Sequence, residues 1–179
     1  MKPYSIVEEH AAYFMTFSVT EWLPVFVDQK PCQIIVDSLN FCHREMFLRT
    51  NAYVIMHTHL HVIGFDAEFD SNRLVRTITA LRKFTGRQLC EYCTAHLPVF
   101  DHILRAAADS DRERQFWQPT RHPEAIYSQR FWREKVSYLH ENPCRKGLVR
   151  RPEQWRFSSA AYWAEEQEQS DVILTQLEW

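Results

Sequence analysis

The sequence predicts one α+β domain, and three observations support that class. Tyr13 to Thr20 and Asn51 to Phe65 alternate in polarity and are rich in β-branched and aromatic residues, the pattern of strands with a buried face. Leu74, Ile78, Leu81, Phe84 and Leu89, and again Phe131, Lys135, Tyr138, Leu139 and Asn142, recur at the spacing of a helix face. A chain of 179 residues with 45% hydrophobic and 14% aromatic content is large enough to bury one core without staples.

Taken in order, Tyr13 to Thr20 forms the first strand, and Glu21 to Phe26 is a connector with apolar anchors. Pro31 suits the first turn of a helix, and Ile34, Ile35, Ser38, Leu39 and Cys42 give that helix a face running to about Arg49. Asn51 to Met56 is the second strand and Leu60 to Phe65 the third, with a tight turn between them. Asp70 or Ser71 is placed to cap the next helix, an amphipathic one with Arg73, Arg76, Arg82, Lys83 and Arg87 on its other faces. Leu97 to Ala108 reads as a short helix or loop, and Asp109 to Arg114 as a charged exposed turn. Phe116 to Tyr127, with two prolines, reads as a strand or extended edge segment. Ser128 caps a last long helix that Pro143 stops; Gly147 to Val149 is a tight turn, and Pro152 to Trp163 is a turn followed by a helix. The core is expected within about 13–163, with 164–179 an acidic, partly loose tail and 1–179 a single domain.

Composition narrows the function classes. No apolar run approaches the ~20 residues of a membrane span, and the N-terminus has no signal-peptide core. A cytoplasmic protein without membrane association is therefore expected. Only 3 glycines argue against a phosphate-cradling loop. Five scattered cysteines make no disulfide framework, and Cys90-Glu-Tyr-Cys93 stands without a second pair, which favours ordinary half-buried thiols over zinc or redox use. The net charge is −2, yet Ser71 to Ala160 carries 17 Lys and Arg against 9 Asp and Glu. Arg121, Arg130, Arg133, Arg145, Lys146, Arg150, Arg151 and Arg156 crowd one region, a pattern that predicts a basic groove on an otherwise acidic protein.

The chemistry centres on His57-Thr-His-Leu-His61. Residues two apart on a strand point the same way, roughly 6.5 Å apart, so His59 and His61 form half of a metal site; parity alone would admit His57 too. Tyr138 and Asn142 are one helical turn (~5.4 Å) apart on one face. If that helix packs beside the histidines, Asn142 can offer an amide oxygen as third ligand, with the Tyr138 hydroxyl close by. Mixed nitrogen and oxygen ligation with open positions suits Mg²⁺ or Mn²⁺ better than a closed zinc site. A metal so held would polarise a phosphodiester, and the tyrosine hydroxyl would attack phosphorus, leaving a phosphotyrosine and a free 3′-hydroxyl. Tyr127 competes as nucleophile on chemistry alone but lacks the partner four residues on.

Tyr53 to His61, Arg82 to Thr85, Phe116 to Ser128, Lys135 to Val149 and Trp155 to Ala160 together resemble the REP-associated tyrosine transposases, of the single-tyrosine HUH transposase superfamily. The resemblance runs from about Tyr13 to Trp163, and its most specific block is Tyr138-x-His-x-Asn-Pro-x-x-x-Gly-Leu-Val149. It implies a ferredoxin-like (RRM-like) domain, an antiparallel sheet packed with helices, with the nucleophile on a helix in the C-terminal third. It implies His59 and His61 as metal ligands, Asn142 as the polar third ligand and Tyr138 as nucleophile. Where the family often carries Pro-Asn or a similar pair before the first histidine, this chain has His57-Thr58, and the motif gives His57 no ligand role. Such proteins are also usually more basic overall.

The function this implies is metal-dependent cleavage and rejoining of single-stranded DNA near hairpin or palindromic repeats, that is, DNA transposition through a 5′-phosphotyrosine. Arg82, Lys83, Arg121, Arg130, Arg133, Lys135, Arg145 and Lys146 are the expected DNA contacts, and the protein is expected to be a monomer or homodimer. The alternative is a non-catalytic, domesticated module that binds DNA or RNA hairpins; a zinc hydrolase with a cysteine ligand is a third reading.

Overall fold

The computed structural model describes residues 12–108, 113–119, 123–164 and 170–178. Three strands and two helices follow one another as β1 (Ala12–Ser18), α1 (Gln29–Glu45), β2 (Leu48–Met56), β3 (His59–Asp66) and α2 (Ser71–His96). After α3 (Pro98–Ala106) comes the short β4 (Glu124–Ile126), which completes an antiparallel sheet of order β2-β3-β1-β4. This is the ferredoxin-like arrangement: the strand that follows each helix lies on the outside of the sheet, and the two central strands, β3 and β1, pair with each other. Beyond the sheet lie α4 (Gln129–His140), α5 (Asn142–Arg145) and α6 (Ala160–Trp163).

Period-two alternation divides the strands between two cores. Tyr13, Met15 and Phe17 of β1, Tyr53 and Ile55 of β2, and Leu60 and Val62 of β3 pack under α1 and α2 with Ile35, Leu39, Leu74 and Leu81. Phe14, Ala52, Val54, Ile63 and Phe65 face the other way and pack with Leu139 of α4. Leu139 is fully buried there, and truncating such a leucine to alanine typically costs about 2–5 kcal/mol. The second face carries the two histidines, so α4, and neither α1 nor α2, covers the site.

Both anticipated caps are present: Asp70 accepts a hydrogen bond from Arg73 N, and Ser128 accepts one from Phe131 N. Gly147 ends α5 at φ +71°, with Leu148 N donating to Pro143 O and Gly147 N to Cys144 O. That pairing is the Schellman arrangement, which needs a left-handed residue.

Several elements depart from expectation. The first helix stops at Glu45 and β2 begins at Leu48, because Phe47 takes φ +59° and turns the chain. A bulge between Thr50 and Ala52 then resets the alternation. On α2, Phe84 is exposed while Thr77 and Thr85 are buried. Thr85 Oγ1 can occupy an apolar layer because it donates to Leu81 O and accepts from Trp117 Nε1. Pro143 does not stop the helical path: α4 ends at His140, and Glu141, in αR conformation, leads straight into α5. Proline fits there as an early residue whose missing N–H is not needed.

The C-terminal tail is anchored over its described part, 170–178. Val172 is buried, Thr175 N donates to Thr50 O, and Asn51 Nδ2 donates to Thr175 O. Ile55 N donates to Phe157 O, so residues 157–159 and the tail together cover the outer edge of β2 and satisfy an otherwise open strand. Asp66, buried at the end of β3, accepts from both Nε and an Nη of Arg73 and from the amides of Glu68 and Asp70. Burial pushes its carboxyl up, but these hydrogen bonds and the Arg73 charge outweigh it and hold the group below the ordinary range.

Candidate active site

The site is built on the two central strands. The register pairs His61 with Thr16 and His59 with Ser18 across β3 and β1, so both imidazoles stand on the α4 face. Their ring centroids lie 4.6 Å apart, closer than the roughly 6.5 Å backbone repeat, so the rings lean together. Thr16 Oγ1 lies 2.8 Å from His61 Nδ1, and Thr58 Oγ1 lies 3.0 Å from His59 Nδ1. With a hydroxyl on Nδ1 of each ring, Nε2 is the nitrogen left to meet a ligand. Outer partners of this kind orient metal-binding imidazoles.

The electrostatics favour neutral rings. Burial, then the Lys146 charge, lowers His59 to about 4. Burial, then His59, Arg145 and Lys135, lowers His61 to about 3. Both imidazoles keep their lone pairs at neutral pH, the state that binds a metal. His57 lies in the turn between Met56 and His59, with its ring 5.5 Å from that of Trp155. The turn breaks the strand parity that would have admitted it beside the other two.

Tyr138 reaches the pair from α4. Its ring centroid lies 5.7 Å from that of His61 and 6.0 Å from that of Phe14, and 46% of the residue is exposed. Phe14 also stacks on His61 at 5.2 Å, so one apolar ring supports both functional ones. Asn142 opens α5, one turn on, and is buried, with Nδ2 3.5 Å from Tyr138 O. Among the described residues no group of three His, Cys, Asp or Glu stands together. Two neutral imidazoles leaning together are a pair of nitrogen donors that a divalent metal accepts. Cys90 and Cys93 belong to the core on the opposite face of the sheet, and burial pushes their thiols up to about 12. They cannot join the histidines as zinc ligands.

The expected basic residues divide by location. Arg145 lies over the Tyr138 ring, 4.5 Å from its centroid, donates to Tyr138 O, and pairs with Glu141. Lys146 is exposed beside it. Lys135 is closer to the sheet, donating to both carboxylate oxygens of Glu124 at 2.8 Å. Arg130 and Arg133 are exposed on α4, and Arg130 pairs with Glu134. Lys83 is exposed on α2, across the sheet from the histidines. Arg82 departs from the expected basic surface: it is buried, donates to Gln118 O and lies over the Phe17 ring. The 113–119 segment crosses α2 there and roofs it over. Arg121 falls outside the described residues.

Four contributors escaped the sequence reading. Thr16, Thr58 and Glu124 orient His61, His59 and Lys135, and His140 fastens the end of α4 through Ser159 Oγ, 2.8 Å from its Nε2. Thr16, a polar residue on the inward side of an apolar alternating strand, was the one visible signal.

Fold and site together define a ferredoxin-like domain with a histidine pair and a helix-borne tyrosine on one sheet face. No protein-family model matches the sequence, and no curated protein does. The structure is similar to a solved one described as a REP-associated tyrosine transposase bound to a REP hairpin, with TM-score 0.62 and 20% identity over 100% of this chain and 93% of that one. At that identity the likeness establishes the shared architecture. No helix among the described residues is long and apolar enough to cross a membrane.

Proposed function

We propose that this chain is a metal-dependent nuclease and strand transferase for single-stranded DNA, acting beside hairpin or palindromic repeats through Tyr138. The observation that carries this reading is the meeting of Tyr138 with His61, rings 5.7 Å apart, although they come from the fourth long helix and a central strand. The similar solved structure holds a REP hairpin, which supports hairpin DNA as the partner.

His59, His61 and Asn142 would hold Mg²⁺ or Mn²⁺, which when bound polarises the phosphodiester and screens its charge. Tyr138 lies half open to solvent, so a phosphate can approach its hydroxyl from outside the fold. The phenol oxygen forms the new bond to phosphorus and gives up its proton. The bond from phosphorus to the 3′ oxygen breaks, and that oxygen takes a proton as the free 3′-hydroxyl. Arg145 and Lys146 stand where they can offset the phosphate charge. Reversal of the step on a second 3′-hydroxyl rejoins DNA.

Incubation with Mn²⁺ and an end-labelled hairpin bearing an unpaired extension should give a protein–DNA adduct stable to denaturing electrophoresis, and none should form when a chelator is present from the start. Tight hairpin binding with no adduct under any divalent metal would overturn catalysis and leave the hairpin-binding module.

A further inference from the structure

We propose that Trp22 is a stacking platform for an unpaired base of the DNA strand at this site, a reading that rests on the proposed function. Trp22 is 55% exposed, while its neighbours Leu23, Val25 and Phe26 are buried anchors. A lone exposed aromatic residue is ordinary; the backbone that presents this one is not. Glu21 has φ 51° and Trp22 φ 54°, two successive non-glycine residues in the left-handed region. Residues with a Cβ seldom adopt that region, so the surrounding structure must hold them there.

The clamps can be named. Val19 N donates to Thr58 O and Phe26 N to His57 O, tying both ends of the turn to the β2–β3 turn that carries the histidines. Thr20 N donates to Phe116 O, and Trp22 N donates back to Val19 O. The result holds the indole 6.1 Å from the His59 ring at an interplanar angle of 80°, an edge contact that leaves the side chain largely open. Ring contacts run from Trp22 to His59, from His59 to His61 and from His61 to Tyr138, and the Arg145 guanidinium lies over the Tyr138 ring, so an exposed aromatic ring, the candidate metal ligands and a cation line one site. Single-stranded nucleic acid is gripped by this pairing, with bases on aromatic faces and cations along the backbone. A base on Trp22 would hold the strand beside His59.

The test compares two hairpins, one blunt and one with an unpaired extension carrying 2-aminopurine, bound to wild type, Trp22→Ala and Trp22→Phe in Mn²⁺. Trp22→Ala should lose about ten-fold or more in affinity for the extended hairpin and lose quenching of the aminopurine. It should bind the blunt hairpin as wild type does, and Trp22→Phe should recover most of the loss. Wild-type affinity for the extension in Trp22→Ala, or an equal loss on both hairpins, would overturn the proposal. If that happens while wild type still forms its Tyr138 adduct, the nuclease reading stands and only the platform falls. A wild type with neither adduct nor preference for the extension would remove both.

Discussion

Thr16 Oγ1 lies 2.8 Å from His61 Nδ1, joining the middle of β1 to the imidazole that also touches Tyr138. The bond sets which nitrogen of His61 faces the candidate metal. Thr16→Val keeps the shape and the strand preference but removes the hydroxyl. Mn²⁺ affinity, read by calorimetric titration, should fall about 10–100-fold. Unchanged affinity would show that His61 needs no such partner.

A second bond holds the tyrosine's helix. His140 Nε2 lies 2.8 Å from Ser159 Oγ, which also accepts from Tyr53 N at 2.9 Å. Ser159→Ala leaves two buried polar groups without this partner, a loss of about 1–3 kcal/mol. The urea midpoint should drop with an unchanged denaturant slope. A midpoint within error of wild type would mean that the end of α4 is held by packing alone.

Acid should unfold this protein early. Burial lowers His140 to about 4, alongside His59 at about 4 and His61 at about 3. Each stays neutral in the native state while its unfolded counterpart protonates near pH 6.5. Between pH 6.5 and 4 the unfolded state therefore binds more protons, and stability falls as pH falls, by about 1.4 kcal/mol per pH unit for each histidine. Urea unfolding at pH 7, 6 and 5 measures this; stability that stays flat or rises towards pH 5 would contradict the buried, neutral histidines.

Gly147 offers a local test. A Cβ there would meet nothing within 4 Å, so only its φ of +71° opposes substitution. Gly147→Ala should cost about 1 kcal/mol in urea unfolding. A stabilising Gly147→Ala would show that the turn relaxes out of the left-handed region.

Much of this fold was legible because it rests on local periodicity. Two-residue spacing placed His59 and His61 on one face, three- and four-residue spacing placed Tyr138 on a helix, and Asp70 and Ser128 were readable as caps. Pairings between distant segments were not. Thr16 opposes His61 only through the β1–β3 register, and Arg82 is covered only because the 113–119 segment crosses α2. The tail's attachment uses the Thr175 and Thr50 backbones, which leave no side-chain pattern to read. Trp22 occupies a left-handed turn that contains no glycine, so nothing in the residue types marked it.

The nucleophile can be tested against its neighbour. Tyr127 is also exposed, but it precedes Ser128 and α4, whereas Tyr138 stands beside His61. Wild type, Tyr138→Phe and Tyr127→Phe should be incubated with Mn²⁺ and the labelled hairpin, and the denatured products resolved on a gel. Tyr127→Phe should form the covalent protein–DNA adduct at the wild-type level, and Tyr138→Phe should form none. An adduct that persists in Tyr138→Phe would contradict the assignment of Tyr138 as the residue that cuts.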